Sequence, residues 1–202
     1  MSARSVELFF DPICPWAWMT SRWLLNAASV RDLDITFSVM SLAALNEGRD
    51  LPADYRRSMD EAWGPARVAL AVSQQGSQAD VSAYYTAFGE TYHVGGGEDR
   101  RAAAEAGVAA TSLDASVLEA YDDASLDDTL RAKQQAVVEL VGDEVGTPVI
   151  SFGEGKAYFG PVISPAPKGE EAGELFDGLE LMSRTSGFFE LKRTRTVGPS
   201  FD

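Results

Sequence analysis

One cysteine and one histidine stand in a chain of 202 residues. A single thiol cannot close an intramolecular disulfide, and one Cys with one His cannot build a structural zinc site, so no metal is expected. Positive charge is scarce as well: 17 Lys and Arg face 31 Asp and Glu, a formal net charge of -14. Such a surface repels phosphate backbones, which are gripped mainly through cations, and this excludes nucleic acid as a partner. The one basic run, Lys192, Arg193 and Arg195, reads as a solvated tail that balances nearby acids. No apolar stretch is long enough to span a bilayer, and the short polar start, Met1 to Val6, shows no apolar leader. No membrane partner and a cytoplasmic location are the expectations, and a reducing compartment suits an unpaired thiol. Repeats and low-complexity segments are missing too.

What is present is core material: 45% hydrophobic and 10% aromatic residues, enough for one globular domain carrying a large insertion. Val6 to Phe10 reads as a strand that stops at Asp11-Pro12, and a helical pattern with Trp16, Trp23, Leu24 and Ala27 starts at Pro15. Asp34 to Met40 alternates as a second strand, giving a βαβ unit. Helices follow over Pro52–Gln75, Val81–Tyr92, Asp99–Ala106, Asp114–Tyr121 and Ser125–Val141, with Trp63 in the core. Thr147 to Phe152 and Ala157 to Phe159, joined through Gly153 to Gly155, read as a hairpin. A last helix covers Glu170 to Met182, and Phe188 to Asp202 is a tail. The order βαβ, helices, ββα predicts an α/β thioredoxin-like fold: 1–45 and 142–202 form the core, and 46–141 an all-helical insertion domain.

Cys14 falls at the N-terminus of the first helix, with Pro15 suited to the first turn. Helix N–H groups and the dipole favour an anion there, which predicts a thiolate reactive at neutral pH rather than an inert packed cysteine. Thr147-Pro148, opening a strand after the helical block, sits where thioredoxin folds place a cis proline beside the cysteine, leaving the Thr147 backbone free to pair with a thiol substrate. A resolving cysteine three residues after the first is replaced by Ala17, so any disulfide forms with an external thiol or a second subunit.

The segment Asp11-Pro12-Ile13-Cys14-Pro15-Trp16-Ala17-Trp18 with Thr20-Ser21-Arg22-Trp23 resembles the active-site start of actinobacterial DsbA-like proteins, and within them the mycothiol-dependent nitroreductases. Val39-Met40-Ser41-Leu42, Leu45-Asn46-Glu47, Ala62-Trp63-Gly64-Pro65, Gly146-Thr147-Pro148, Phe159-Gly160-Pro161-Val162, Gly169 to Gly173 and Phe188 to Thr196 extend the likeness nearly end to end. The resemblance implies a thiol oxidoreductase that draws electrons from mycothiol, a low-molecular-weight thiol used as co-substrate, with no metal and no flavin. It also implies that Trp16, Asn46, Tyr55 and His93 line the substrate pocket beside Cys14. By themselves these residues keep plainer readings: an exposed aromatic, a turn cap, a half-buried helix residue and a core or surface histidine.

Three mechanisms stay open for a chain with Ala17 in that position. One is a natural single-cysteine cycle in which mycothiol forms and releases a mixed disulfide on Cys14, reducing disulfides or electrophilic nitro compounds. In another, Ala17 is an engineered trap for an intermediate. The third is a binding module for thiol conjugates or peptides without turnover. Thiol-cofactor-dependent transferases and isomerases of the kappa type, which usually carry Ser at this place, are a further alternative. The physiological substrate and the oligomeric state are not written in these residues.

Overall fold

The computed structural model describes residues 3–201. Strand β1 (Arg4–Phe10) turns Val6, Leu8 and Phe10 inward, and helix α1 (Pro15–Ala28) returns the chain to strand β2 (Leu33–Val39). The two strands pair in parallel, Leu8 opposite Phe37. Strands β3 (Val149–Ser151) and β4 (Ala157–Phe159) add antiparallel on the other side of β1, so the sheet order is β2-β1-β3-β4. Helix α8 (Gly169–Ser183) packs on α1, where Trp23 Nε1 donates to the Ala172 carbonyl at 3.0 Å. This is the βαβ and ββα arrangement expected, with the sheet ending beside Cys14.

Between β2 and β3 run α2 (Leu42–Leu45), α3 (Ala53–Asp60), α4 (Trp63–Gln75), α5 (Gln78–Gly89), α6 (Arg100–Ala109) and α7 (Asp127–Val141). The helix expected over Pro52–Gln75 is two helices. Pro65 has no N–H to give Glu61 and its ring would strike that carbonyl, so the chain breaks and Pro65 takes a place in the first turn of α4. Helix α2, too short for periodicity to reveal, is capped by Ser41 Oγ on the Ala44 N–H at 3.2 Å. The segment expected as a helix over Asp114–Tyr121 is a 3-10 helix, Ala115–Asp122. Trp63, placed in the core, is only half-buried, with Arg67 and Arg131 against its ring.

The helices and the sheet share one apolar cluster. Tyr85 of α5 stacks on Phe10 of β1 with centroids 4.0 Å apart, and the end of α5 lies against α1 at Gly89. A side chain there would meet the Trp18 ring at 2.2 Å, so only glycine permits the approach. Beyond Gly89 the helix widens into a π turn, Glu90–Val94, which turns His93 inward.

Candidate active site

The turn before α1 is held by a carboxylate. Asp11 is fully buried; its Oδ1 accepts from the Ile13 N–H at 3.0 Å and its Oδ2 from the Leu42 N–H at 2.7 Å, while its carbonyl accepts from the Cys14 N–H at 3.0 Å. One side chain therefore shapes the cysteine turn and ties it to the start of α2. Burial raises its pKa to about 6, against the pull of those two N–H groups and of Arg100.

Cys14 is the N-cap of α1, with Pro15 in the first turn and Sγ accepting from the Ala17 N–H at 3.5 Å. The thiol reaches the Thr147 carbonyl at 3.5 Å across the cis Thr147–Pro148 bond. Thus the strand that starts at Val149 and the helix that starts at Pro15 meet at one sulfur. The Ala17 side chain is entirely buried, so its methyl occupies the interior.

The expected low thiol pKa is corrected by this environment. Cys14 is only 6% exposed and belongs to the main apolar cluster. Burial pushes the thiol above its ordinary value; the Thr147 side chain and the Ala17 and Trp16 N–H groups pull it down but lose, and the Asp11 carboxylate adds to the rise. The helix-terminus argument counted the local donors, whereas desolvation comes from the tertiary cover. The Thr147 hydroxyl is buried without a formed hydrogen bond, near enough to the sulfur to favour its charged form.

The four pocket residues divide. Trp16 is half-buried one residue beyond Pro15, and the Arg195 guanidinium lies over its ring at 5.2 Å. His93 is buried, and its Nε2 sits 2.9 Å from the Pro12 carbonyl; a carbonyl only accepts, so Nε2 carries the proton. Its ring stacks with Trp18 and lies tilted against Phe201, and burial lowers its pKa to about 4, so it is neutral near pH 7. Asn46 spends its amide at the end of α2, donating to the Leu42 carbonyl at 2.8 Å and to Met59 Sδ at 3.6 Å. Tyr55 is 45% exposed on α3. Neither Asn46 nor Tyr55 makes a hydrogen bond or ring contact with the Cys14 turn among the described residues.

Sequence reading gave the Asp11 carboxylate no role beyond a strand stop and a place in the family-like motif, and it did not foresee where the tail lies. That tail folds back on the site: the Ser164 hydroxyl donates to the Gly198 carbonyl and accepts from the Ser200 N–H, and Phe201 covers His93. The basic run is exposed, as a solvated tail should be, and Arg195 within it also lies over the Trp16 ring. Asp202 lies outside the described residues. Among the described residues no group of three His, Cys, Asp or Glu could hold a metal ion, and no helix is long and apolar enough to cross a membrane.

A family described as Rv2466c-like, mycothiol-dependent nitroreductase Rv2466c, matches residues 13–193. The uncharacterized protein Rv2286c of Mycobacterium tuberculosis is 29% identical over 198 residues, 95% of this chain and 83% of that protein. A probable DsbA oxidoreductase, SCO1869 of Streptomyces coelicolor, superposes with a TM-score of 0.55 at 18% identity, over 98% of this chain and 97% of that one. The cytosolic disulfide reductase DsbM of Pseudomonas aeruginosa, solved with GSH, gives 0.53 at 17% identity over 88% and 99%. A 2-hydroxychromene-2-carboxylate isomerase gives 0.55 at 18% over 89% and 95%. At these identities the three structures speak for the fold alone, which is the DsbA-like thioredoxin fold.

Proposed function

The chain belongs to the Rv2466c-like family of mycothiol-dependent nitroreductases, a thiol-based redox family of DsbA-like fold, and from that premise we propose a single-cysteine redox cycle at Cys14. The Cys14 sulfur, its proton passing to solvent, attacks a substrate disulfide. A Cys14 mixed disulfide forms, the substrate S–S bond breaks, and one thiolate leaves with the electron pair. A mycothiol thiolate then attacks the Cys14 sulfur, freeing the second half of the substrate. A second mycothiol attacks the sulfur of the first, which returns Cys14 and releases the oxidised thiol. Two mycothiols supply the two electrons, so no resolving cysteine is needed where Ala17 stands.

The observation that supports this most is the placement of the sulfur, between the Ala17 N–H and the Thr147 carbonyl at 3.5 Å each. In this reading the Thr147 backbone and Pro148 carry the incoming thiol or disulfide, and Pro15 starts the helix behind it. Trp16 and Tyr55 contact substrate, whereas Asn46 and His93 position the turns around it. Entry of a ligand parts the cover over Cys14, and with water admitted the local N–H donors favour the thiolate. Residues 46–141 act as the insertion domain over the core of 1–45 and 142–202, in a cytoplasmic enzyme. Nitroaromatic compounds and other electrophiles are the second substrate class, favoured by the family's description.

Turnover tests the proposal. Consumption of mycothiol with a small disulfide or a nitroaromatic substrate is expected to drop to background in Cys14→Ser. Turnover retained by that variant overturns the cycle, and uptake of thiol without turnover by the parent protein identifies a binding module instead.

A further inference from the structure

Arg195 is held against a ring and, among the described residues, by no carboxylate. Arg31, Arg67 and Arg131 are each held by carboxylates, and Arg100 by the Ser58 carbonyl and hydroxyl. Among the described residues the only close partner of Arg195 is the ring of Trp16 at 5.2 Å. A guanidinium has five N–H donors in one plane, and stacking on an indole uses its face while leaving those donors unspent.

The position is imposed rather than incidental. Tyr158 Oη donates to the Phe188 carbonyl at 3.2 Å and the two rings lie 5.6 Å apart, which pins the start of the tail. Its end is pinned by Ser164, at 2.9 Å from the Gly198 carbonyl and 2.8 Å from the Ser200 N–H, and by Phe201 on His93. The chain between these anchors carries the one basic run of a protein of net charge -14 and brings it to the helix that bears the reactive cysteine. Arg195 thus lies, without a carboxylate partner among the described residues, over Trp16, which stands two residues from Cys14.

We propose that Arg195 is a specificity-determining residue for the electrophilic substrate of Cys14, selecting a planar or aromatic body that carries an anionic group, with Trp16 as the flat surface beneath it. The idea rests on Cys14 being the reacting group. Thr147 and Pro148 serve the sulfur from the strand, while Trp16 and Arg195 receive from the helix the body of the molecule attached to the sulfur under attack. Lys192 and Arg193, without an ion pair among the described residues, raise the local concentration of anions at that mouth.

The experiment compares two aromatic disulfides, dithiobis-nitrobenzoate with a carboxylate on each ring and dithiodipyridine with none. In either reaction the Cys14 sulfur attacks the probe, a Cys14–S–S–aryl bond forms, the probe S–S bond breaks and an absorbing aryl thiolate leaves. The ratio of the two second-order rates cancels any change in the thiol itself. It is expected to fall about fivefold in Arg195→Gln, the size of one exposed charge pair. It falls further in Arg195→Glu and is mostly retained in Arg195→Lys, while added salt lowers it more in proteins with a cation at that position than in Arg195→Gln. An unchanged ratio in Arg195→Gln overturns the role of Arg195. Failure of both probes to label the parent protein overturns the reading of Cys14, and this inference with it.

Discussion

Two sides of Cys14 are built to opposite rules. On the inner side Asp11, Thr147 and Pro148 are buried, and the contacts span long stretches of chain: Cys14 to Thr147 is 133 residues, Asp11 to Leu42 is 31. On the outer side Trp16, Tyr55 and Arg195 are half-buried or exposed, and the one contact among them is a cation over a ring. The inner side fixes a sulfur to within a hydrogen-bond length; the outer side offers faces that ligands of different shape can use. A redox enzyme for small molecules benefits from this division, because the thiol exchange is constant and the substrate body is not.

The comparison breaks most readily at Asp11. Asp11→Ala strands two N–H groups, of buried Ile13 and half-buried Leu42, and is expected to cost about 2–4 kcal/mol of stability in denaturant unfolding. A loss under 1 kcal/mol would mean that the carboxylate does not hold the turn.

Next comes the proton economy around Pro12, where Asp11 and His93 oppose each other. The His93 pKa falls from 6.5 to about 4 in the folded protein, so the unfolded chain takes up the proton first. Stability from this group is present above 6.5 and is lost as pH falls toward 4, by about 2–3 kcal/mol. The Asp11 pKa rises from 3.8 to about 6, so the folded form holds the extra proton and stability declines as pH rises through that window. His93→Gln removes one arm only. Its destabilisation relative to the parent should shrink between pH 7 and pH 4.5; a constant gap would show that His93 is not held neutral by burial.

The smallest effect belongs to the outer side. Tyr55→Ala, at a residue 45% exposed, should change stability by no more than about 0.5 kcal/mol while raising the KM for an aromatic substrate a fewfold. A stability loss of several kcal/mol would place Tyr55 with the inner side.

The same division governed how much could be read from residue order. The junction of β1, Cys14 and α1 and the Thr147–Pro148 pair are local patterns, a strand broken by proline and a proline opening a strand, and both stand where expected. Asp11 escaped because its meaning lies in the Leu42 N–H, which periodicity cannot bring near. The contact of Arg195 with Trp16 escaped for a related reason: it depends on distant anchors such as Ser164 and Tyr158, which hold an otherwise solvated run in place. The thiol was misjudged because helix donors are visible at four residues' range, whereas burial is a property of the whole fold.

The central claim is that Cys14 alone carries the redox chemistry, and the most direct test is the intact mass of the protein after incubation with oxidised mycothiol, then with excess reduced mycothiol. One adduct on Cys14, removed by the reduced thiol, is the expected result, with no adduct on Cys14→Ser. Absence of an adduct on the parent protein, or an adduct that the reduced thiol cannot remove, would contradict the cycle.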